Sequence, residues 1–346
     1  MKKNSSLLFV SLLALVLAGC NSSPSKKKKS SGAAPISSVS GQSGAAPTSS
    51  QVNPSSGAPV SAYTSGGKPS SPEPISYNPP VPPTEGYEQC EEAFGDRDKE
   101  SLLTALRSYT SQGHAGEYGD LWDTYKTVYI REDGKMFDYY SCTTNYTPGK
   151  DQAGSYSKEG DVYNREHSIP KSWWGGAQSN QGADPYIVVP TDGYINGIRG
   201  NFSFGMVQNV DKESNLGYSK RGTSDPAWST TDHLVFEPND SVKGDFARIY
   251  FYAIARYSNS YNWTEDDDAG LCFTGKNDDN FGFTDYAVKL LSYWNELDPV
   301  SEWEVTVSNR CEPIHGCRNP FVDHPEYANL LWGENPNYTW YTYTDN

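Results

Sequence analysis

Histidine is scarce in this chain, five residues in 346, and it forms no His-Glu-x-x-His helix; Gly-x-Ser-x-Gly turns are missing as well. Zinc-peptidase and esterase chemistry therefore lack their usual hardware. Long apolar runs are also wanting: the stretch from Leu7 to Leu17 is too short to cross a bilayer and is followed by strongly polar sequence. Positive charge is in short supply. The formal net charge is −15, and residues 86–346 hold 21 basic against 41 acidic side chains, which argues against tight nucleic-acid binding through a broad basic face. Only the window from Asn164 to Arg221, with six basic and five acidic residues, is open to a polyanion. Cysteine is limited to six. With Cys20 set aside, five remain, so at least one thiol stays unpaired; Cys311 and Cys317, nearest in sequence, are the candidate pair for a disulfide outside the cytoplasm. The set Cys311, His315, Cys317 and His324 fits no zinc-site spacing.

What is present divides the chain into three. Residues 1–20 carry two lysines, the apolar run and then Leu17-Ala18-Gly19-Cys20, which resembles a bacterial lipobox. The expectation is a cleaved export signal with Cys20 as a lipid-bearing N-terminus, tethering the mature protein to the extracytoplasmic face of a bacterial membrane. Residues 21–85 are Ser, Gly, Pro and Ala with almost no large apolar side chain, and cannot bury enough surface to offset the entropy of ordering. They read as a stalk, whose basic run Lys26 to Lys29 suits anionic lipid headgroups. Beyond residue 85 aromatic residues become dense, eight of nine tryptophans lying between Trp122 and Trp332, and no linker interrupts the sequence. One folded domain, residues 86–346, is expected.

Periodicity outlines that domain. Leu102, Leu103, Leu106 and Tyr109 share a helical face, and a second short helix is expected around Leu121 to Val128. "VYIREDGKMFDYYS" reads as a hairpin turning at Asp133-Gly134. "VYNREH" reads as a strand entering a loop, "YIVVP" as a second strand, and Thr191 or Asp192 as the cap of a helix that Gly200 ends. Strand, loop, strand and helix in that order bring His167 and Asn201 to the ends of one small unit. Three later helices are expected: one capped by Ser241 with a stripe from Val242 to Tyr257, one capped by Thr284 or Asp285, and one capped by Asp323 with Pro325 in its first turn.

The segments "YNREHSIPKSWWG", then Asp184, then "PTDGYINGIRGNFSFG", followed by "FEPNDSVKGDFARIYFYAIARY" and "GCRNPFVDHPEYANLLW", resemble the bacterial endonuclease I family. The likeness covers most of residues 88–333, in several separate motifs in the same order. It implies an α+β domain built around a ββα-metal (His-Me finger) motif with surrounding helices, and hydrolysis of phosphodiester bonds in DNA, with RNA as a further substrate, to leave 5′-phosphates. By the same likeness His167 is the general base, while Glu166 and Asn201 are metal ligands. Arg165, Arg199 and Asp184 are candidates for phosphate contact or for support of the site.

The chemistry agrees with those roles. An imidazole titrates near pH 6.5 and can take a proton from water at neutral pH. Two oxygen ligands with the other positions left to water and phosphate suit Mg²⁺, or another divalent cation such as Mn²⁺ or Ca²⁺. Because neighbours on a strand point to opposite sides, an irregular loop at Glu166-His167, favoured by Pro170, is expected to turn both to one site. DNA, RNA and the membrane through Cys20 are the implied partners, and no protein partner is inferred. One stretch departs from the family, which commonly has a His-Asn-Leu type of segment two residues after the aspartate matching Asp184. Here the sequence is Asp184-Pro185-Tyr186-Ile187-Val188. The alternative is thus a catalytically impaired surface lipoprotein that keeps the nuclease fold for binding.

Overall fold

Helix α6 (Lys243–Tyr257) is buried at every position except Arg256. A helix apolar enough to be enclosed all round must pair whatever charges it carries. Lys243 Nζ meets Glu237 Oε1 at 2.7 Å and Asp240 Oδ1 at 2.6 Å. Arg248 donates to both Glu304 carboxylate oxygens at 2.6 and 2.7 Å, and to Asn295 Oδ1 at 2.9 Å. These pairs tie the central helix to α7 (Asp285–Leu297) and α8 (Glu302–His315). The computed structural model describes residues 85–174, 179–229, 233–257, 271–274 and 280–333, all within one compact unit. Cys20, the signal segment, and the stalk apart from Glu85 lie outside the described residues.

The fold is α+β. Helices α1 (Glu88–Gly95), α2 (Lys99–Thr110) and α3 (Leu121–Tyr125) precede a two-stranded antiparallel ribbon of β1 (Tyr163–His167) and β2 (Val188–Asp192), with α4 (Asn180–Ala183) between the strands. The ribbon leads into α5 (Gly193–Arg199), and then β3 (Val207–Glu213), β4 (Lys220–Ser224) and β5 (Leu234–Glu237) form an antiparallel sheet in that order. After α6, α7 and α8 come α9 (Pro320–Asp323) and α10 (Glu326–Trp332). Leu102, Leu103 and Leu106 of α2 are fully enclosed, as their spacing predicts, and Thr284 caps α7 through Ala287 N.

Several local expectations shift. The hairpin at Asp133-Gly134 reduces to a turn closed by a single bridge between Ile130 and Met136. The second strand begins two residues later than "YIVVP", because Asp184 folds its carbonyl onto Ile187 N and Val188 N. Asn239, not Ser241, supplies the cap before α6: it accepts from Ser241 N and opens a 3₁₀ turn at Asp240–Val242. The last helix begins later than expected, because Asp323 ends a separate short helix instead of capping it. Asn319 caps α9, and Pro325 stands at the N-cap of α10, where its missing N–H costs nothing.

The Cys311–Cys317 disulfide is not formed. Both thiols are free, as are the other three described cysteines. Cys317 Sγ is instead 3.3 Å from His315 Nδ1 and 3.7 Å from the Thr110 carbonyl. His315 Nε2 meets Asp184 Oδ2 at 3.3 Å, and the same oxygen accepts Tyr252 OH at 2.9 Å and Tyr257 OH at 2.8 Å. Burial alone would lower the His315 pKa, but the Asp184 carboxylate raises it to about 10. For Asp184 burial pushes upward, and the opposing His315 and Arg256 charges win and lower it.

The pH dependence follows from those directions. His315, ordinarily 6.5, contributes stability that is full below about 6.5 and lost as pH rises through about 10. Asp184 contributes stability present above its ordinary 3.8 and lost as pH falls below it. Asp184→Asn leaves a buried imidazolium without its carboxylate and should cost about 3–5 kcal/mol. Urea unfolding followed from about pH 4 to 10 tests this; a variant as stable as wild type, or with an unchanged alkaline limb, would contradict it.

Candidate active site

Strand alternation sets the two faces of β1. Tyr163, Arg165 and His167 leave on one side, interleaved with aromatic rings from the start of α3 and the loop before it. Trp122 stands edge-on to Tyr163 at 5.8 Å; the Arg165 guanidinium lies 4.3 Å from the Trp122 ring centroid and 3.5 Å from that of Tyr118. Arg165 Nη1 also donates to the Tyr118 carbonyl at 2.8 Å. Tyr118 in turn stacks on the His167 imidazole at 5.5 Å, with Trp174 at 6.1 Å. His167 is 8% exposed and hydrogen-bonds to the Gly182 backbone, while its Nε2 is buried with no partner. Burial lowers its pKa to about 3, with Lys171 and Arg165 adding to the effect. The ring is therefore neutral and holds an uncommitted nitrogen.

Glu166 occupies the opposite face, 2% exposed. Its Oε1 accepts Tyr140 OH at 2.8 Å and meets Arg199 Nη1 at 3.0 Å. Burial pushes its pKa up to about 7 against the pull of Arg199 and Tyr140. Arg199, at the end of α5, also donates to the His167 carbonyl at 3.0 Å and the Ser168 carbonyl at 2.7 Å. One guanidinium thus holds the carboxylate of one candidate residue and the backbone of the next. The irregular loop anticipated at Glu166-His167 is absent: pairing with β2 runs unbroken to His167↔Val188. The two neighbours are regular strand residues that serve opposite faces of a strand end.

Helix α5 is aimed by its own ends. Asp192 Oδ1 caps it through Ile195 N at 2.8 Å, and Gly200, at φ +57°, breaks it. That conformation is strained for any residue with a Cβ. Asn201 follows, exposed and without a hydrogen bond to any described residue. Its connection to Glu166 runs through Arg199, whose Nη1 lies 3.0 Å from Glu166 Oε1 and 3.5 Å from the Gly200 carbonyl. Asp184 lies apart, in its network with His315, and Tyr186, from the departing segment, donates its hydroxyl to the Cys317 carbonyl at 3.1 Å. No group of three or more His, Cys, Asp or Glu suited to a metal occurs among the described residues. The Glu166 carboxylate and the Asn201 amide oxygen are hard oxygens and fit a cation of the Mg²⁺ class. Tyr118, Trp122 and Tyr140 were not legible as site residues, since each reaches β1 from a distant segment with no local motif.

The endonuclease I family model matches residues 98–326, a span that contains β1, α5 and Asn201. The chain belongs to the endonuclease I family. An extracellular ribonuclease of Bacillus subtilis (strain 168) is 31% identical over 252 residues, covering 71% of this chain and 77% of that relative. An extracellular ribonuclease of Bacillus amyloliquefaciens is 30% identical over 274 residues, covering 78% and 86%. This endonuclease I family member is accordingly a nuclease that hydrolyses phosphodiester bonds. In this enzyme Arg199→Met would leave buried Glu166 without a counter-charge, at a cost of about 3–5 kcal/mol. Arg199→Lys keeps the charge without the planar fork and should lie between. Denaturation midpoints and nuclease rates check both; an unchanged midpoint for the Met variant would contradict the pairing.

Proposed function

We propose that the protein is a divalent-metal-dependent endonuclease of little sequence preference that cuts DNA and RNA outside the cytoplasm and leaves 5′-phosphates. Residues 86–346 are its catalytic domain, carried on the stalk of residues 21–85 and tethered through lipidated Cys20. The β1–β2–α5 unit is read as a His-Me finger. The observation that carries the proposal is the uncommitted His167 Nε2 next in sequence to a buried Glu166 carboxylate that Tyr140 and Arg199 hold in place. RNA is included because the relatives are named as ribonucleases.

In this reading His167 Nε2 accepts a proton from the attacking water, the ring being held by Tyr118, Trp174 and the Gly182 backbone. Glu166 and Asn201 hold Mg²⁺. A bound divalent cation supplies neutralisation of the charge that develops on the phosphate and on the departing oxygen. Arg199 keeps the Glu166 carboxylate and the His167 carbonyl in register. With an acidic surface, grip on the substrate is confined to a few phosphates and should weaken with salt. The impaired-lipoprotein alternative rests on the Asp184–Val188 segment. Tyr186 and Asp184 are engaged in packing against α6 and the end of α8, away from Glu166 and His167, which disfavours that alternative.

Supercoiled plasmid and a single-stranded RNA, each with Mg²⁺ or with chelator, test the proposal. Wild type should cut both substrates, chelator should stop it, and His167→Ala should lose on the order of 10²–10⁴ in rate. Failure to cut with any divalent ion would favour the impaired reading, and full activity in His167→Ala would remove the base assignment. Because Glu166 is raised to about 7 and must ionise to hold the ion, the half-saturating Mg²⁺ should fall as pH rises through about 7.

A further inference from the structure

Strand β3 is an exposed edge whose pairing with β4 slips twice, between Val207 and Asn209 and between Val210 and Lys212. Gln208 and Asp211 are the residues left without a partner across the ladder. Bulges of this kind bend a strand and re-aim a side chain. The second is permitted by Gly222 opposite, where a Cβ would stand 2.0 Å from the Asn209 carbonyl oxygen. Asp211 is thereby presented to Arg221 and accepts two parallel bonds, Nε to Oδ1 at 3.1 Å and Nη2 to Oδ2 at 2.5 Å.

The Arg221 atom left over, Nη1, donates to the Ile198 carbonyl at 3.0 Å in the last turn of α5, and the guanidinium lies 5.1 Å from the Phe202 ring centroid. Ile198 and Phe202 stand on either side of Asn201 in sequence. Asn201 itself is exposed and makes no hydrogen bond to a described residue, and it follows a glycine that has no side chain to anchor the turn. An ion pair whose acid is 41% exposed contributes little to stability. Its geometry is better suited to fixing the turn from the solvent side while Arg199 fixes it from within.

We infer that Arg221, oriented by the bulged Asp211, is a positioning residue that sets Asn201 for the metal. The inference rests on the reading of Asn201 as a ligand. Two quantities are measured on the purified protein: the Mg²⁺ dependence of the nuclease rate, and Mn²⁺ binding by electron paramagnetic resonance. In Arg221→Ala the half-saturating Mg²⁺ and the Mn²⁺ Kd should each rise about tenfold, the loss expected when a residue supporting a metal ligand is removed. The rate at saturating Mg²⁺ should return to about the wild-type value, with little change in Tm. Arg221→Lys, which cannot serve Asp211 and Ile198 together, should recover only part of the affinity. Asp211→Asn should shift affinity the same way by less, and carries the test if Arg221→Ala fails to fold. Unchanged ion affinity in the folded variants overturns the inference, as does a rate loss that saturating Mg²⁺ does not restore. Asn201→Ala separates the two levels. If it leaves ion affinity unchanged, the ligand reading falls and the clamp with it; if it weakens binding while Arg221→Ala does not, only the clamp falls.

Discussion

A buried guanidinium beside a buried carboxylate is the constraint on which the site depends. Arg199 and Glu166 are both nearly inaccessible to water, and neither could keep its charge there alone. Because Arg199 closes α5 and Glu166 lies near the end of β1, their pairing draws the helix terminus against the strand terminus. Arg199 Nη1 also donates to the His167 carbonyl and Nη2 to the Ser168 carbonyl, so the backbone carrying the imidazole is fixed by the same group. Tyr250 OH reaches the Ser168 carbonyl as well, at 3.1 Å, which joins the strand end to the enclosed helix α6.

That arrangement divides labour between two adjacent residues without irregular backbone. Period-2 alternation sends Glu166 inward to Arg199 and Tyr140 and sends His167 into the stack of Tyr118 and Trp174. The same alternation places Arg165 two residues before His167 on its face, sandwiched between Tyr118 and Trp122, so its charge helps to keep the imidazole neutral. Arg165 therefore acts on His167 through its charge, while Tyr118 packs against both. Asp184 acts further off, by holding α6 and the end of α8 to the loop that enters β2.

Much of this was legible in the sequence, for physical reasons that also mark where legibility stops. Helices α2, α6 and α7 bury a full stripe or more, and the stripe is written in their apolar spacing. The order β1, β2, α5 could be read because β-branched and aromatic runs, the Asp192 cap and Gly200 punctuate it locally. Helix α8 was missed since its buried set mixes Glu304, Ser308, Cys311 and His315 with few apolar residues. The β3–β4–β5 sheet was missed because β3 is exposed along nearly its whole length, and its bulges break the alternation that would announce a strand. The aromatic partners of His167 and the hydroxyl of Tyr140 come from segments far away in sequence. The regular strand at Glu166-His167 was missed because one shared cavity was assumed for both side chains, when Arg199 can connect a strand end across its two faces.

The central claim is that Glu166 serves the ion and His167 serves the water, as separate tasks. Mn²⁺ binding measured by electron paramagnetic resonance on wild type, Glu166→Gln and His167→Ala tests it most directly. His167→Ala should bind Mn²⁺ as wild type does, while Glu166→Gln should bind at least about tenfold more weakly. Loss of Mn²⁺ binding in His167→Ala, or its retention in Glu166→Gln, would contradict the account.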